Sequence, residues 1–186
     1  GISILFLPMS ALLTLVAIIA SWNSVQNLTR FHFALLLALE GGTMGVFVAM
    51  DLMLFFLFWE LILPPIFFLI GLWGAGPQRR GAAMKYMLYM LFSGVLLLFA
   101  FVMLAVNHAT QMGGSIPQSL SFSFPVLLNT AIPDNIQAIV FLLLIIGFAV
   151  KIPLVPFHTW LPTTAVEAPT QLTALLVGLK LGAFGI

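Results

Sequence analysis

The feature that most constrains this chain is a series of apolar runs long enough to cross a lipid bilayer as helices. A run of about 18 or more apolar residues is typical of a transmembrane helix. Of the 186 residues, 62% are hydrophobic and 6% are charged, whereas soluble domains carry roughly 25% charged residues. The runs lack the period-two alternation of membrane β-barrels. The sequence therefore predicts an all-α fold, a polytopic bundle of transmembrane helices in the lipid bilayer.

Charge and cysteine content exclude several function classes. The formal net charge is +1, which gives no electrostatic reason to expect a nucleic-acid partner. Cysteine is absent, so thiolate zinc sites, iron–sulfur ligation by this chain, disulfides and thiol catalysis are excluded. His32 and His108 stand at segment ends and do not obviously converge with His158. We therefore predict no cofactor and no metal in this chain.

The apolar pattern divides the chain into six membrane segments within one membrane domain, residues 1–186. The chain starts without an initiator Met and stops inside a hydrophobic run, so we interpret it as a fragment of a longer protein. The predicted segments are 3–21, 31–50, 52–73, 82–106, 136–161 with a break near 151–156, and 165–186.

Basic residues fall on one side of this arrangement. Arg30 lies between the first two segments, and Arg79, Arg80 and Lys85 lie at the connection that leads into the fourth. The polar connection 107–135 on the opposite side contains no Lys or Arg. Cytoplasmic loops are enriched in basic residues, so we expect the basic connections to face the cytoplasm.

Glu60 is an ionisable residue well inside the third segment. A charge at such a depth costs several kcal/mol on insertion scales, so it requires a structural or functional explanation. Pro64 and Pro65 follow it, and neither can donate a backbone hydrogen bond to the preceding turn. The helix is therefore expected to loosen just after the acid. Glu60 is either a carboxylate bonded to a neighbouring helix or a proton carrier with a cationic partner.

The stretch "FAVKIPLVPFHTWLP" predicts a broken helix beside a charge. Lys151 is followed by Pro153, Pro156 and Pro162, with His158 between the last two. Broken backbone at membrane depth occurs only inside protein or beside a water-filled cavity. Lys151 is thus either a snorkelling residue near a helix end or part of a hydrated site. A histidine titrates near neutral pH, which suits a proton relay.

Further ionisable residues raise the same question. Lys180 stands about fourteen residues into the sixth segment, between Gly178 and Gly182, and a buried lysine can load and release a proton. Glu40 lies in the middle of the second segment and is equally suited to a relay or to a structural hydrogen bond. Lys85 is expected either to snorkel to the cytoplasmic face or to reach toward the helix that carries Glu60, and we favour snorkelling. For Glu167 we expect an interfacial position or contact with a helix N-terminus.

Two blocks of the sequence resemble a known family. "DLMLFFLFWELILPPIFFLIGLWG" and "KIPLVPFHTWLP", followed by "EAPT" and "LLVGLKLGAFG", resemble the antiporter-like membrane subunits of respiratory complex I. Within that group they are most similar to subunit 4, called subunit M in bacteria. The resemblance covers residues 34–186 and implies an antiporter-like fold of about fourteen helices, of which this chain would hold roughly the third to the eighth.

The resemblance also implies roles for individual residues. Glu60 matches the family's essential glutamate, and Lys151 matches the lysine of the broken helix that pairs with it. Lys180 matches the central-axis lysine, and His158 lies on the connecting polar path. Glu40 and Lys85 stay secondary candidates from the residues alone.

The function that this resemblance implies is proton translocation driven by NADH–quinone or ferredoxin–quinone electron transfer elsewhere in a complex. NADH or ferredoxin, FMN, iron–sulfur clusters and quinone would belong to other subunits, and neighbouring antiporter-like subunits would be the partners. The expected location is a bacterial inner membrane, a thylakoid or another energy-transducing membrane. A cation/proton antiporter component and a purely structural scaffold are the alternatives.

One departure from the family pattern stands next to the broken helix. The family usually reads "WLPDAH", and this chain reads "WLPTTA". Thr163 and Ala165 therefore replace an aspartate and a histidine. A variant subunit of a photosynthetic, ferredoxin-driven complex is one place where such divergence is expected.

Overall fold

A computed structural model describes residues 3–179 and 184–185, with side chains described through Leu176 and at 184–185. Within these residues the chain forms nine α-helices and one 3₁₀ turn, Phe157–Thr159. The helices are α1 Ser3–Ser21, α2 Thr29–Val48, α3 Leu52–Leu61, α4 Leu63–Trp73, α5 Arg79–Gln111, α6 Phe124–Leu128, α7 Asp134–Lys151, α8 Trp160–Glu167 and α9 Thr170–Leu179.

Five helical stretches of the described residues are long and apolar enough to cross a membrane. Helices α3 and α4 together make one of them, 22 residues long. The longest, α5, has 33 residues and would extend about 50 Å at 1.5 Å per residue, more than a hydrocarbon core of about 30 Å requires. The predicted fold class, an all-α membrane bundle, is confirmed. The five stretches are Ser3–Ser21, Thr29–Val48, Leu52–Trp73, Arg79–Gln111 and Asp134–Lys151.

The helix bounds differ from the sequence-based expectation after the break near residues 151–156. The second half of the broken segment, α8, runs to Glu167, and α9 begins at Thr170 rather than at residue 165. Pro162 lies in the first turn of α8, where an N–H group has no acceptor within the helix, so a proline is tolerated there. Ala168 is extended with ψ 160° because the residue before a proline disfavours helix. Pro169, not Pro162, therefore separates the last two helices.

The sharp turn between α2 and α3 is held by a capping side chain. Asp51 Oδ1 accepts hydrogen bonds from the N–H groups of Met53 at 2.9 Å and Leu54 at 3.0 Å. An aspartate at this position satisfies amides that have no partner within the helix. The long polar connection returns to the same turn, where Leu52 N–H donates to Phe122 O at 2.9 Å. The turn is thereby fixed from both directions.

Helix α5 lies at the centre of the bundle and packs against α3, α4, α7 and α8. Small residues allow the closest approaches, as expected where helices associate in an apolar solvent. Gly147 of α7 packs against Leu97 of α5, and Ser93 Oγ donates to Gly147 O at 2.7 Å. Large side chains that are almost fully buried fill the rest of the interior: Trp59, Leu63, Ile66, Leu69, Ile70, Met90 and Leu97.

Gly45 of α2 gives a test of this packing. A Cβ atom at Gly45 would overlap the ring of Phe58 on α3, and overpacking costs about 1–3 kcal/mol. We expect Gly45→Ala to lower the unfolding midpoint of the full-length protein in a denaturing-detergent titration. The control is Gly41→Ala on the same helix, where a Cβ atom meets nothing within 4 Å. Gly41→Ala should stabilise the protein slightly, and equal midpoints for the two variants would contradict the packing described.

Candidate functional site

Glu60 lies at a break in the third membrane segment. Helix α3 ends at Leu61 and α4 begins at Leu63, with Pro64 and Pro65 in its first turn. The predicted loosening of the helix directly after the acid is therefore observed. The prolines cause it because they supply no N–H to the turn that contains Glu60.

The carboxylate of Glu60 lies against the backbone of α5 at Gly94. A Cβ atom at position 94 would be 2.8 Å from Glu60 Cδ and closer still to Oε1. Only glycine therefore leaves room for the carboxylate at this point of α5. Glu60 Oε1 is buried and has no hydrogen-bond partner among the described residues, so it is free to accept a proton or a cationic group.

Lys151 reaches the same turn from the end of α7. Its Nζ donates to Trp59 O at 3.2 Å and lies 3.7 Å from the centroid of the Trp59 ring. A desolvated cation–π contact of this kind is worth about 2 kcal/mol. The hydrogen bond of the ammonium goes to the carbonyl of the residue just before Glu60. The structure thus places Lys151 at the turn of Glu60, the residue with which the family resemblance pairs it.

Trp59 forms the wall between the two charges and the apolar core. Its side chain is fully buried and contacts Phe55 at 5.0 Å and Phe148 at 5.6 Å between ring centroids. Phe148 lies one helical turn before Lys151, so α7 presents both the aromatic contact and the cation to Trp59. Trp59 Nε1 has no partner among the described residues. The rings of Phe55 and Phe148 therefore line the aromatic side of the site.

The break after Lys151 satisfies its own backbone. Val150 O accepts a hydrogen bond from Trp160 Nε1 at 2.7 Å, and Ala149 O accepts one from Leu154 N–H at 2.9 Å. Protein groups therefore satisfy these two carbonyls beside the break. The indole of Trp160 also packs against Tyr86 of α5, with ring centroids 5.4 Å apart. The interruption is thus a defined structure anchored to α5.

Lys85 and Tyr89 of α5 bind the region that follows the break. Lys85 Nζ donates to Thr159 O at 2.8 Å and to Thr163 Oγ1 at 3.1 Å. The hydroxyls of Tyr89 and Thr159 are 2.7 Å apart. The expectation that Lys85 snorkels to the membrane surface is therefore wrong, because its ammonium bonds to α8. Thr163, which replaces the aspartate of the family pattern, supplies a neutral acceptor to this cation.

The remaining path candidates are not joined to this site in the described part of the chain. His158 is exposed on the 3₁₀ turn, next to the Thr159 that binds Lys85. Lys180 lies outside the described residues.

Glu40 forms a separate polar contact between α1 and α2. Its Oε2 accepts hydrogen bonds from Ser10 Oγ at 2.8 Å and Thr14 Oγ1 at 2.6 Å. Its Oε1 is buried without a partner among the described residues.

Glu167 contacts the N-terminus of α5 rather than that of α9, the helix that follows it in the chain. Its Oε2 accepts from Gln78 N–H at 2.9 Å, at the residue that precedes α5. A carboxylate at this position is stabilised by the partial positive charge at the N-terminus of the helix. Glu167 therefore ties α8 to the start of α5.

Sequence reasoning did not identify Trp59, Gly94, Tyr89 or Thr159 as parts of the site. Gly94 stands in a run of apolar residues, and nothing local distinguishes a glycine that admits a carboxylate from one that admits an alkyl chain. Trp59 adjoins Glu60 and was the one detectable signal, since its ring and carbonyl share the turn of the acid. In the described part of the chain, no group of three or more His, Cys, Asp or Glu side chains could hold a metal ion.

Comparison with known proteins agrees with these features. The family model described as "NADH:quinone oxidoreductase/Mrp antiporter, TM" matches residues 49–186. Subunit M of the NADH-quinone oxidoreductase of Escherichia coli K12 is 37% identical over all of this chain, which covers 37% of that protein. Chain 4 1 of the NAD(P)H-quinone oxidoreductase of Synechococcus sp. JA-3-3Ab is also 37% identical over all of this chain, which covers 34% of it.

Solved structures show the same arrangement of helices. A chain of respiratory complex I from Thermus thermophilus superposes with a TM-score of 0.81 at 28% identity, over 99% of this chain and 37% of that one. A chain of the Mrp complex from Dietzia sp. DQ12-45-1b superposes with a TM-score of 0.80 at 22% identity, over 98% of this chain and 20% of that one, which shows a shared fold.

The chain spans about a third of the length of these curated relatives. The family model covers about three quarters of the chain and includes both Glu60 and Lys151. The broken α3–α4 segment, the broken α7–α8 segment and the contact between them all lie inside the matched region. This protein belongs to the NADH:quinone oxidoreductase/Mrp antiporter transmembrane family.

Proposed function

We propose that this chain is the proton-translocating region of a membrane subunit of an NADH- or ferredoxin-driven quinone oxidoreductase. One observation carries the proposal: Lys151, at the end of a broken helix, binds the Trp59 turn beside the half-buried carboxylate of Glu60. Two opposite charges at membrane depth, each next to an interrupted helix, are energetically costly. Such residues typically mark ion or proton paths.

The chemistry would be an exchange of partners between an acid and a base. With Glu60 ionised, its carboxylate stabilises the charged ammonium of Lys151. When a proton arrives at Glu60 Oε1, that stabilisation is lost, and the ammonium of Lys151 releases its proton more readily in its largely apolar surroundings. Lys151 then passes its proton onward. Trp59 would hold the ammonium near its ring and carbonyl during this exchange.

In this proposal the redox chemistry lies in other subunits, which would carry FMN, iron–sulfur clusters and the quinone site. The partners are neighbouring antiporter-like membrane subunits, and the location is an energy-transducing membrane with the basic loops on the cytoplasmic side. A component of a cation/proton antiporter is not favoured, because the relatives at 37% identity are named as quinone oxidoreductase subunits.

His158 and Lys180 are proposed as later stations on the same path. The family resemblance supports this role for Lys180, and the position of His158 on the turn next to Thr159 supports it for His158. Lys85 would affect the path indirectly, by positioning α8 and the turn before it, since it binds Thr159 and Thr163 rather than lipid headgroups. Glu40 belongs to a different helix pair and is treated separately below.

Replacing the buried acid tests the proposal most directly. Glu60→Gln keeps the size of the side chain but removes its charge and its proton. Because positioned acid–base groups contribute roughly 10²–10⁴-fold, we expect proton uptake driven by quinone reduction to fall by at least about tenfold. The measurement is proton uptake in proteoliposomes that contain the fully assembled complex. Asp134→Asn, at the exposed start of α7, is the control, and wild-type uptake by Glu60→Gln would refute the proposal.

The role of Lys151 separates a mobile proton from a fixed charge. Lys151→Arg keeps a positive charge beside Glu60, but a guanidinium cannot release its proton in a protein. We therefore expect Lys151→Arg to pump as poorly as Lys151→Met in the same proteoliposome assay. Near-wild-type pumping by Lys151→Arg alone would show that the charge matters and the proton does not.

The space for the carboxylate gives a third test. Gly94→Ala would displace Glu60 from α5, because a Cβ atom there overlaps the carboxylate. We expect several-fold slower proton uptake from a complex of normal subunit content. Gly81→Ala on the same helix is the matched control, since a Cβ atom there meets nothing within 4 Å. Equal pumping by the two variants would contradict the placement of Glu60 against α5.

A further inference from the structure

A second carboxyl group is enclosed between membrane helices, away from the Glu60–Lys151 site. Glu40 of α2 faces α1, where Ser10 and Thr14 are spaced four residues apart and so share one helix face. Their exposed fractions are 0% and 3%, so both hydroxyls are withdrawn from lipid and solvent. Both donate to the same atom, Glu40 Oε2. The three side chains form what is called below the Ser10–Thr14–Glu40 cluster.

The two oxygens of this carboxyl group have different surroundings. Oε2 accepts two hydrogen bonds, whereas Oε1 is buried and has no partner among the described residues. A carboxyl group that only joined two helices would offer both oxygens to donors. A buried charged oxygen without a donor is costly, and a group in that position tends to become neutral. Oε1 is therefore the oxygen that can take up a proton while Oε2 keeps both of its hydrogen bonds.

The depth of Glu40 relates it to the site already described. Gly42, two residues further along α2, packs against Ile62, and Gly45 packs against Phe58. Glu60 lies between Phe58 and Ile62 in the chain, so the two carboxyl groups lie within about two turns of each other in depth, roughly 10 Å or less at 1.5 Å per residue. They face opposite directions, since Glu60 contacts α5 and Glu40 contacts α1.

Few other titratable groups surround the cluster. Helix α1 and the described part of α9, which also packs against α1, contain no charged residue or histidine. On α2, His32 stands two turns away and packs against Trp73. On α3–α4, Glu60 faces α5, and Lys180 lies outside the described residues. Within the described part of the chain, the hydroxyls of Ser10 and Thr14 are therefore the polar side-chain groups bonded to Glu40.

We propose that the Ser10–Thr14–Glu40 cluster is a second proton-binding site of this protein, in which the proton is carried on Glu40 Oε1 and the two hydroxyls hold Oε2. Protonation forms one O–H bond at Oε1 and removes the negative charge; deprotonation returns the proton to the path or to water. The binding of a proton at Glu40 stands on the geometry alone. Its use in transport rests on the proposed function.

Infrared spectroscopy of the assembled complex tests the proton-binding site without measuring transport. Protonated carboxyl groups absorb apart from carboxylates, and hydrogen bonds to the carbonyl oxygen lower the frequency of that band. Acid–alkaline difference spectra of the wild type should contain a carboxyl band that shifts in D₂O and is absent from Glu40→Gln. The double variant Ser10→Ala/Thr14→Val keeps the acid but removes both donors, so the band should persist at higher frequency.

The matched control is Asp134→Asn, which removes an exposed carboxyl group at the start of α7 and should leave that band in place. Spectra of Glu40→Gln that match the wild type throughout the titration would overturn the proposal, as would an unshifted band in the double variant. Because Ser10→Ala/Thr14→Val retains Glu40, it remains informative if Glu40→Gln does not assemble. Loss of pumping in Glu60→Gln with an intact Glu40 band would separate this site from the one at Glu60.

Discussion

An ammonium group in an apolar bundle needs a local partner, and the structure around Glu60 is arranged to supply one. Lys151 has the carbonyl of Trp59 and the face of its ring as immediate neighbours, and Glu60 is the next residue along α3. Each of these partners comes from α3, whereas the lysine comes from α7. The contact therefore depends on how closely α3 and α7 each approach α5. Gly147 lets α7 pack against Leu97 of α5, and Gly94 of α5 leaves room for the carboxylate of Glu60.

Two interrupted helices meet at this contact, and each interruption has a different origin. Pro64 and Pro65 remove donors from the turn that holds Glu60, so the acid stands at the end of α3. Pro153 ends α7 directly after Lys151, and the indole of Trp160 satisfies a carbonyl that the break leaves open.

The residue that departs from the family pattern after Trp160 contacts α5. Thr163 accepts a hydrogen bond from Lys85 at a position where the family has an aspartate, so a neutral hydroxyl stands where a carboxylate would form an ion pair. Lys85 also binds Thr159 O. The hydroxyl of Thr163 thus joins α8 to α5 next to the turn that carries His158.

The sequence by itself determined the membrane class, the positions of the first five of six predicted membrane segments and the break after Glu60, because hydropathy and proline act locally along the chain. The resemblance to a family added the expectation that Glu60 and Lys151 form a pair. Only the tertiary structure decided that Lys151 binds the Trp59 carbonyl, that Lys85 reaches α8 instead of the membrane surface, and that Glu40 accepts two hydroxyls from α1. Those outcomes depend on which helix faces which, and at what register. Helix packing sets both, and a single sequence carries no local signal of either.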